Sequence, residues 1–182
     1  AFEPAIDYVV TKIPRWPKDK FDDVDFELST AMKSTGEAMS IGRTFEESLL
    51  KALRSSEYDP AVDWDDVDDN TLETEYLKRP SPDRPYAMFE AFDRGYSVEE
   101  IIDLTGIEEW YVERFKRVSE SAQAAQDGDF TPAAVTGHTN NEIAEIADGG
   151  VDVDTVEQTV PGRTYKQVDT CAGEFAAQTP YY

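Results

Sequence analysis

In 182 residues, 39 Asp and Glu oppose 17 Lys and Arg, giving a formal charge of −22, and 40% of the residues are hydrophobic. That apolar content, with 9 Phe, 9 Tyr and 3 Trp, is enough to fill a core and excludes global disorder. The charge repels nucleic acid and anionic membrane, and no apolar run approaches the roughly 18 residues of a membrane span.

Ile6 to Ile13, IDYVVTKI, alternates and is β-branched, which predicts a strand. PRWPKDKFDD, from Pro14, reads as loop. Ser29 to Gly42 predicts short strand segments around a turn at Gly36. The stretch Gly36 to Thr44 has the outline of a phosphate cradle. It fails the G-x-x-x-x-G-K-[ST] pattern: five residues separate Gly36 from Gly42, and Arg43 stands where the lysine belongs. Thr44 and Glu47 predict a capping box opening a helix that ends near Ser55, with Phe45, Leu49, Ala52 and Leu53 on one face.

Glu57 to Asn70, EYDPAVDWDDVDDN, has seven acids and no Lys or Arg. It lacks the glycine of a calcium loop, and Val67 occupies a ligand slot, so it is expected to be a solvated linker. Beyond it the pattern is helical. Leu72 to Lys78 predicts a short helix. Asp83 is expected to cap a second, with Pro85 in its first turn and Gly95 past its end. Ser97 and Glu100 form a second capping box, for a helix running to Gly106. A longer helix is expected from Glu108 to Gln126, with Trp110, Val112, Phe115 and Val118 apolar and Trp110 buried. Thr139 and Glu142 form a third box. The fold class expected is α+β: a short α/β segment followed by a mostly helical domain.

SVEEIIDLTGI (Ser97 to Ile107) and TNNEIAEIADGGV (Thr139 to Val151) share their cap, acid, aliphatic and glycine positions, a helix-turn-helix outline made twice. A DNA-reading second helix would present Arg, Lys, Asn or Gln. Here it begins IEEWYVERF, and no basic residue occurs from Thr139 to Pro161. Packing or assembly is the expected role. The alternative is an acidic regulator binding DNA or a basic protein.

A lone cysteine, Cys171, and a lone histidine, His138, exclude an internal disulfide, a histidine metal cluster and a Ser-His-Asp triad. Asp169, Thr170 and Glu174 surround Cys171 with no base to activate it, so a structural loop is expected. Arg15 and Arg43 are expected in partly buried salt bridges. The acids are spread along the chain, which favours adaptation of the whole surface to high salt over a local docking site for a basic partner. The start AFEPAIDY lacks Met and the end reads TPYY; both ends are expected to be cut from a longer chain.

FEPAIDYVVTKIPRW, MKSTGEAMSIGRTFEESLLKALRS, RGYSVEEIIDLTGIEEWYVERF and YKQVDTCAGEFAAQTPYY, in that order, resemble pieces of the carbamoyl-phosphate synthetase large subunit. The motifs M-K-S-x-G-E-x-M-x-I-G-R and V-D-T-C-A-x-E-F are specific. The resemblance, together with the acid excess, implies a halophilic version of the family. It implies that residues 1–56 end the first ATP-grasp domain, 57–165 form a helical oligomerisation domain and 166–182 lead toward the second half. The parent would be an ATP-dependent cytoplasmic ligase. It would make carbamoyl phosphate from bicarbonate, ammonia and two ATP, with Mg or Mn, for arginine and pyrimidine synthesis. Implied partners are the remainder of the large subunit, a glutaminase small subunit that supplies ammonia, and further copies of the chain; nucleic acid and membrane are not. No catalytic, cofactor or metal residue is implied within this stretch. Met32 and Glu37 are implied to line the carbamate passage, the alternative being that they only shape the turn.

Overall fold

The computed structural model describes residues 8–18, 20 and 25–162; the expectations placed on Ile6, Asp7 and the Cys171 region lie outside them. The expected fold class holds: among the described residues an antiparallel strand pair precedes eight α-helices. The chain divides into two compact units, one of residues 1–13, 39–55 and 121–182, the other of residues 14–38 and 56–120.

Strands β1 (Val9–Arg15) and β2 (Gly36–Gly42) pair with each other. β1 runs on through Pro14, which has no N–H to offer but is tolerated on an edge strand. Gly36 opens β2 and is not a turn between strand segments; the partner strand lies some twenty residues upstream. In β2 Ala38, Ser40 and Gly42 face inward, while Glu37 and Met39 are exposed, as the two-residue period of a half-covered strand requires.

In the first unit, α1 (Phe45–Ser56) buries Leu49, Leu50 and Ala52. Buried Ser48 joins helix to strands: its hydroxyl lies 2.6 Å from Thr11 Oγ1 and donates to the Ser40 carbonyl. The end of α5 (Glu109–Gln126) leads to α6 (Phe130–Thr136), α7 (Asn140–Ile146) and α8 (Val153–Thr159). These three enclose Phe130, Ala133, Ile143, Ala147, Val156 and Val160. The expected Thr139–Glu142 capping box is present, both halves bonded. α6 is absent from the sequence expectations. Gly137 ends it at φ 118°, and a Cβ there would meet Glu47 Cα at 2.8 Å, so only glycine lets this turn close on α1. Arg54 of α1 clamps Glu142 with two bonds from one nitrogen, at 3.0 and 3.2 Å.

In the second unit the acidic segment is exposed, as expected, but it is not a linker. Trp64–Asp66 is a 3-10 turn capped by Asp63, and Asp68 caps the single turn α2 (Asp69–Thr71). Arg94 holds it from outside, donating to the carbonyls of Trp64 and Val67, both at 2.7 Å, and to Asp69. The helix expected at Leu72 to Lys78 is a π-helix, Leu72–Leu77, closed by the Lys78 N–H on the Glu73 carbonyl. The wider turn brings Leu72 and Leu77, five residues apart, onto one buried face. The π-helix packs on α3 (Arg84–Asp93), which buries Ala87, Met88 and Ala91, and on α4 (Val98–Thr105), which buries Ile101; Val112 of α5 is buried as well. Phe89 stacks on Phe115, and Ser119 donates to Asp93, fixing α5 on α3. The Ser97–Glu100 capping box and the Gly106 stop of α4 are as expected.

Asp83 does not cap α3. It sits in helical geometry with no cap bond, because its carboxylate is taken by side chains from elsewhere in the chain.

Gly137→Ala should destabilise the chain by more than about 2 kcal/mol, through strain and the Glu47 clash. Gly106→Ala, at φ 67° with open space around it, should cost only about 1 kcal/mol. Denaturant unfolding of both variants in the same buffer checks the difference.

Candidate functional site

The phosphate-cradle outline is filled by the protein itself. The Arg43 N–H donates to Glu47, the Glu47 N–H to Thr44 Oγ1, and the Ser48 N–H to the Thr44 carbonyl. Thr44 thus caps α1 as expected, but Glu47 reaches back to Arg43 and not to Thr44. A Cβ on Gly42 would lie 2.7 Å from the Ser48 nitrogen, so this glycine serves close packing of strand against helix. No run of N–H groups is left to cradle an anion. Burial pushes the Glu47 carboxyl up, but the Lys51 ammonium and the Arg43 N–H outweigh it and hold the group below its ordinary range. Arg15 and Arg43 are exposed, against the expectation of partly buried ion pairs.

A half-buried polar cluster lies in the second unit. Asp83, 6% exposed, accepts from Tyr58 Oη at 2.5 Å and Lys18 Nζ at 2.6 Å. Lys18 also lies over the Tyr58 ring, 5.5 Å from its centroid. Tyr86 Oη donates to the Tyr58 carbonyl. Burial first, then the bond to Asp83 and its charge, push the Tyr58 phenol far above its ordinary range. Beside the cluster is a recess of about 390 Å³, where Arg79 meets Asp25, Glu27 and Glu75. Its cations already have carboxylate partners. Among the described residues no three His, Cys, Asp or Glu are grouped to hold a metal, and no helix is long and apolar enough to cross a membrane.

Met32 lies in the irregular stretch before β2, 99% exposed. Glu37 is the second residue of β2, also exposed. An exposed aromatic pair is absent from the sequence expectations. Trp110, expected in the core, is 42% exposed and its neighbour Tyr111 46%. Their rings meet edge to face at 5.1 Å, with the Arg114 guanidinium 4.8 Å from the Trp110 ring. The exposed acids around them would have flagged a surface position.

The geometry is that of a strand pair followed by a helical domain. The family model for the carbamoyl-phosphate synthetase large chain, oligomerisation domain, matches residues 37–160. The chain is 68% identical over 184 residues to the carbamoyl phosphate synthase large chain of Halobacterium salinarum. It is 41% identical over 201 residues to that of Methanosarcina barkeri, and 44% over 189 to that of Methanospirillum hungatei. Each match covers 100% of this chain and 17–18% of the relative. The chain belongs to the carbamoyl-phosphate synthetase large-chain family, with residues 37–160 matching its oligomerisation domain, and spans about 18% of the length of the first two of these relatives. The reading as a DNA-binding regulator is not favoured.

An unfolded tyrosine ionises near pH 10, and Tyr58 in the folded chain ionises above that. The folded state then holds a proton the unfolded state has lost, so stability present below about pH 10 should fall as pH rises beyond it. Tyr58→Phe should lower stability at neutral pH by about 1 kcal/mol, allowing for the half-exposed ring. It should also make the alkaline fall shallower. Unfolding midpoints measured from pH 7 to 11 check both effects.

Proposed function

We propose that this chain is a non-catalytic part of a carbamoyl-phosphate synthase large chain adapted to high salt. It closes the first ATP-grasp domain with residues 1–56 and provides the helical association domain with residues 57–165. Residues 166–182 lead toward the second half. The parent makes carbamoyl phosphate from bicarbonate, glutamine-derived ammonia and two ATP in the cytoplasm. Its nucleotide and its Mg or Mn are held by the rest of the large chain, and a glutaminase subunit supplies the ammonia.

The observation that carries this reading is identity along the whole chain to large chains of which it spans less than a fifth. The strand pair supports it. Two strands alone are marginally stable, and among the described residues both outer edges lack a strand partner. Such a pair fits the margin of a larger sheet. The near-complete exposure of Met32 fits a residue covered by that larger body, where Met32 and Glu37 would border the route of the intermediate. A carboxylate there holds polar neighbours and keeps the passage wet.

The isolated 182 residues should show no bicarbonate-dependent ATP hydrolysis. Expressed with the flanking parts of a large chain, they should co-purify with them and restore synthesis. ATP turnover by the chain alone would overturn the non-catalytic reading. In an intact large chain, Glu37→Ala and Met32→Trp should leave each half-reaction running but lower the yield of carbamoyl phosphate per ATP. Equal loss of both half-reactions would count against the passage role.

A further inference from the structure

Lys18, Lys51, Arg54, Arg79 and Arg94 each have a carboxylate oxygen within 2.6 to 3.0 Å. Arg84, the first residue of α3, departs from this pattern. It is half-buried, and among the described residues no Asp or Glu pairs with it. Its side chain makes one hydrogen bond: Nη2 donates to the Lys78 carbonyl at 2.7 Å. That bond fixes the guanidinium plane beside the end of the π-helix. Nε is shielded from solvent and has no hydrogen-bond partner. Burial holds the group below its ordinary range, with no neighbouring charge to offset it. Arginine keeps its proton all the same, so a partly desolvated positive charge stands uncompensated. In a chain with 39 acids this is not for want of carboxylates.

Two neighbours share the exception. Ser81 Oγ is also shielded and without a hydrogen-bond partner, on the turn whose carbonyl accepts the Arg84 N–H at 3.2 Å. Lys78, whose carbonyl orients Arg84, is exposed, and among the described residues its ammonium has no carboxylate partner. The adjacent acid, Asp83, is already held by Lys18 and Tyr58. The N–H groups of Arg84, Tyr86 and Ala87 go to the Ser81 and Asp83 carbonyls, so the side chains and not the helix end supply the donors.

A guanidinium held in one plane with a spare N–H matches the paired oxygens of a carboxylate or a phosphate. A cationic ligand would meet like charge, and an apolar one would leave the donors unfilled. A polyanion would be repelled by the net charge of −22, which leaves a small solute. We propose that Arg84, with Lys78 and Ser81, is a binding site for the carboxylate or phosphate group of a small solute.

Titration of the 182-residue chain with inorganic phosphate, and separately with acetate, tests it by NMR at an ionic strength held constant with KCl. The Arg84 Nε–H resonance, identified by its loss in Arg84→Lys, should shift and saturate with at least one of the two oxyanions; which one names the ligand class. Chloride alone should leave it in place. Affinity measured by calorimetry should fall about tenfold or more in Arg84→Gln and about threefold in Lys78→Gln, an exposed position. Arg84→Lys keeps the charge but not the paired donors and should retain part of the affinity. It also guards against a folding defect in Arg84→Gln, which circular dichroism reads. A shift that grows without saturating in both oxyanions, an equal response to chloride, or unchanged affinity in Arg84→Gln and Arg84→Lys would each overturn the site.

Discussion

With 39 acids to 17 bases, the folded state depends on where the few cations are placed. Several stand where distant stretches of one unit converge. Arg54 reaches Glu142, 88 positions on; Lys18 reaches Asp83, 65 positions on. Arg79 gathers Asp25 and Glu27 from more than 50 residues upstream, and Arg94 closes the acidic segment by its carbonyls. An exposed ion pair alone contributes little. Here each cation also relieves repulsion among acids that the fold brings together. High salt supports the same end by screening the acids that have no cation.

The backbone supplies a second compensation. Asp63, Asp68, Asp129 and Asp152 accept N–H groups at helix or turn starts, and Glu100 and Glu142 complete capping boxes. A carboxylate there faces the positive end of the peptide dipoles and satisfies a donor that would otherwise need water. Much of the acid excess is thereby accommodated locally, which leaves the cations for long-range joints. The bonds from backbone N–H groups hold Asp68, Glu100 and Asp152 below their ordinary carboxyl range.

The same division sorts what could be read from the sequence. The boxes at Ser97 and Thr139 and the stop at Gly106 were legible because three or four neighbouring residues decide them. Asp83 carried the same local signal and was misread. Its carboxylate has stronger partners in Lys18 and Tyr58, one of them 65 positions away. The π-helix was hidden because it takes a tertiary reason to set Leu72 and Leu77 on one face. α6 was missed because Pro132 and Gly137 suggest loop, while Pro132 sits harmlessly in its first turn. Trp110 was assigned to the core by residue type, although its place in α5 points outward. Met32 and Glu37 were chosen by resemblance; no local signal in their chemistry would have singled them out.

The exposed apolar residues fall into two sets of different character. Val10, Met32 and Met39 lie on or beside the strand pair and are aliphatic or thioether groups. They suit burial under further polypeptide, where an unbranched methionine adapts to whatever covers it. Trp110 and Tyr111 are aromatic, rigid and flanked by arginine. Their rings meet edge to face and the Arg114 guanidinium lies over the indole, so cation and ring stabilise each other on the helix itself.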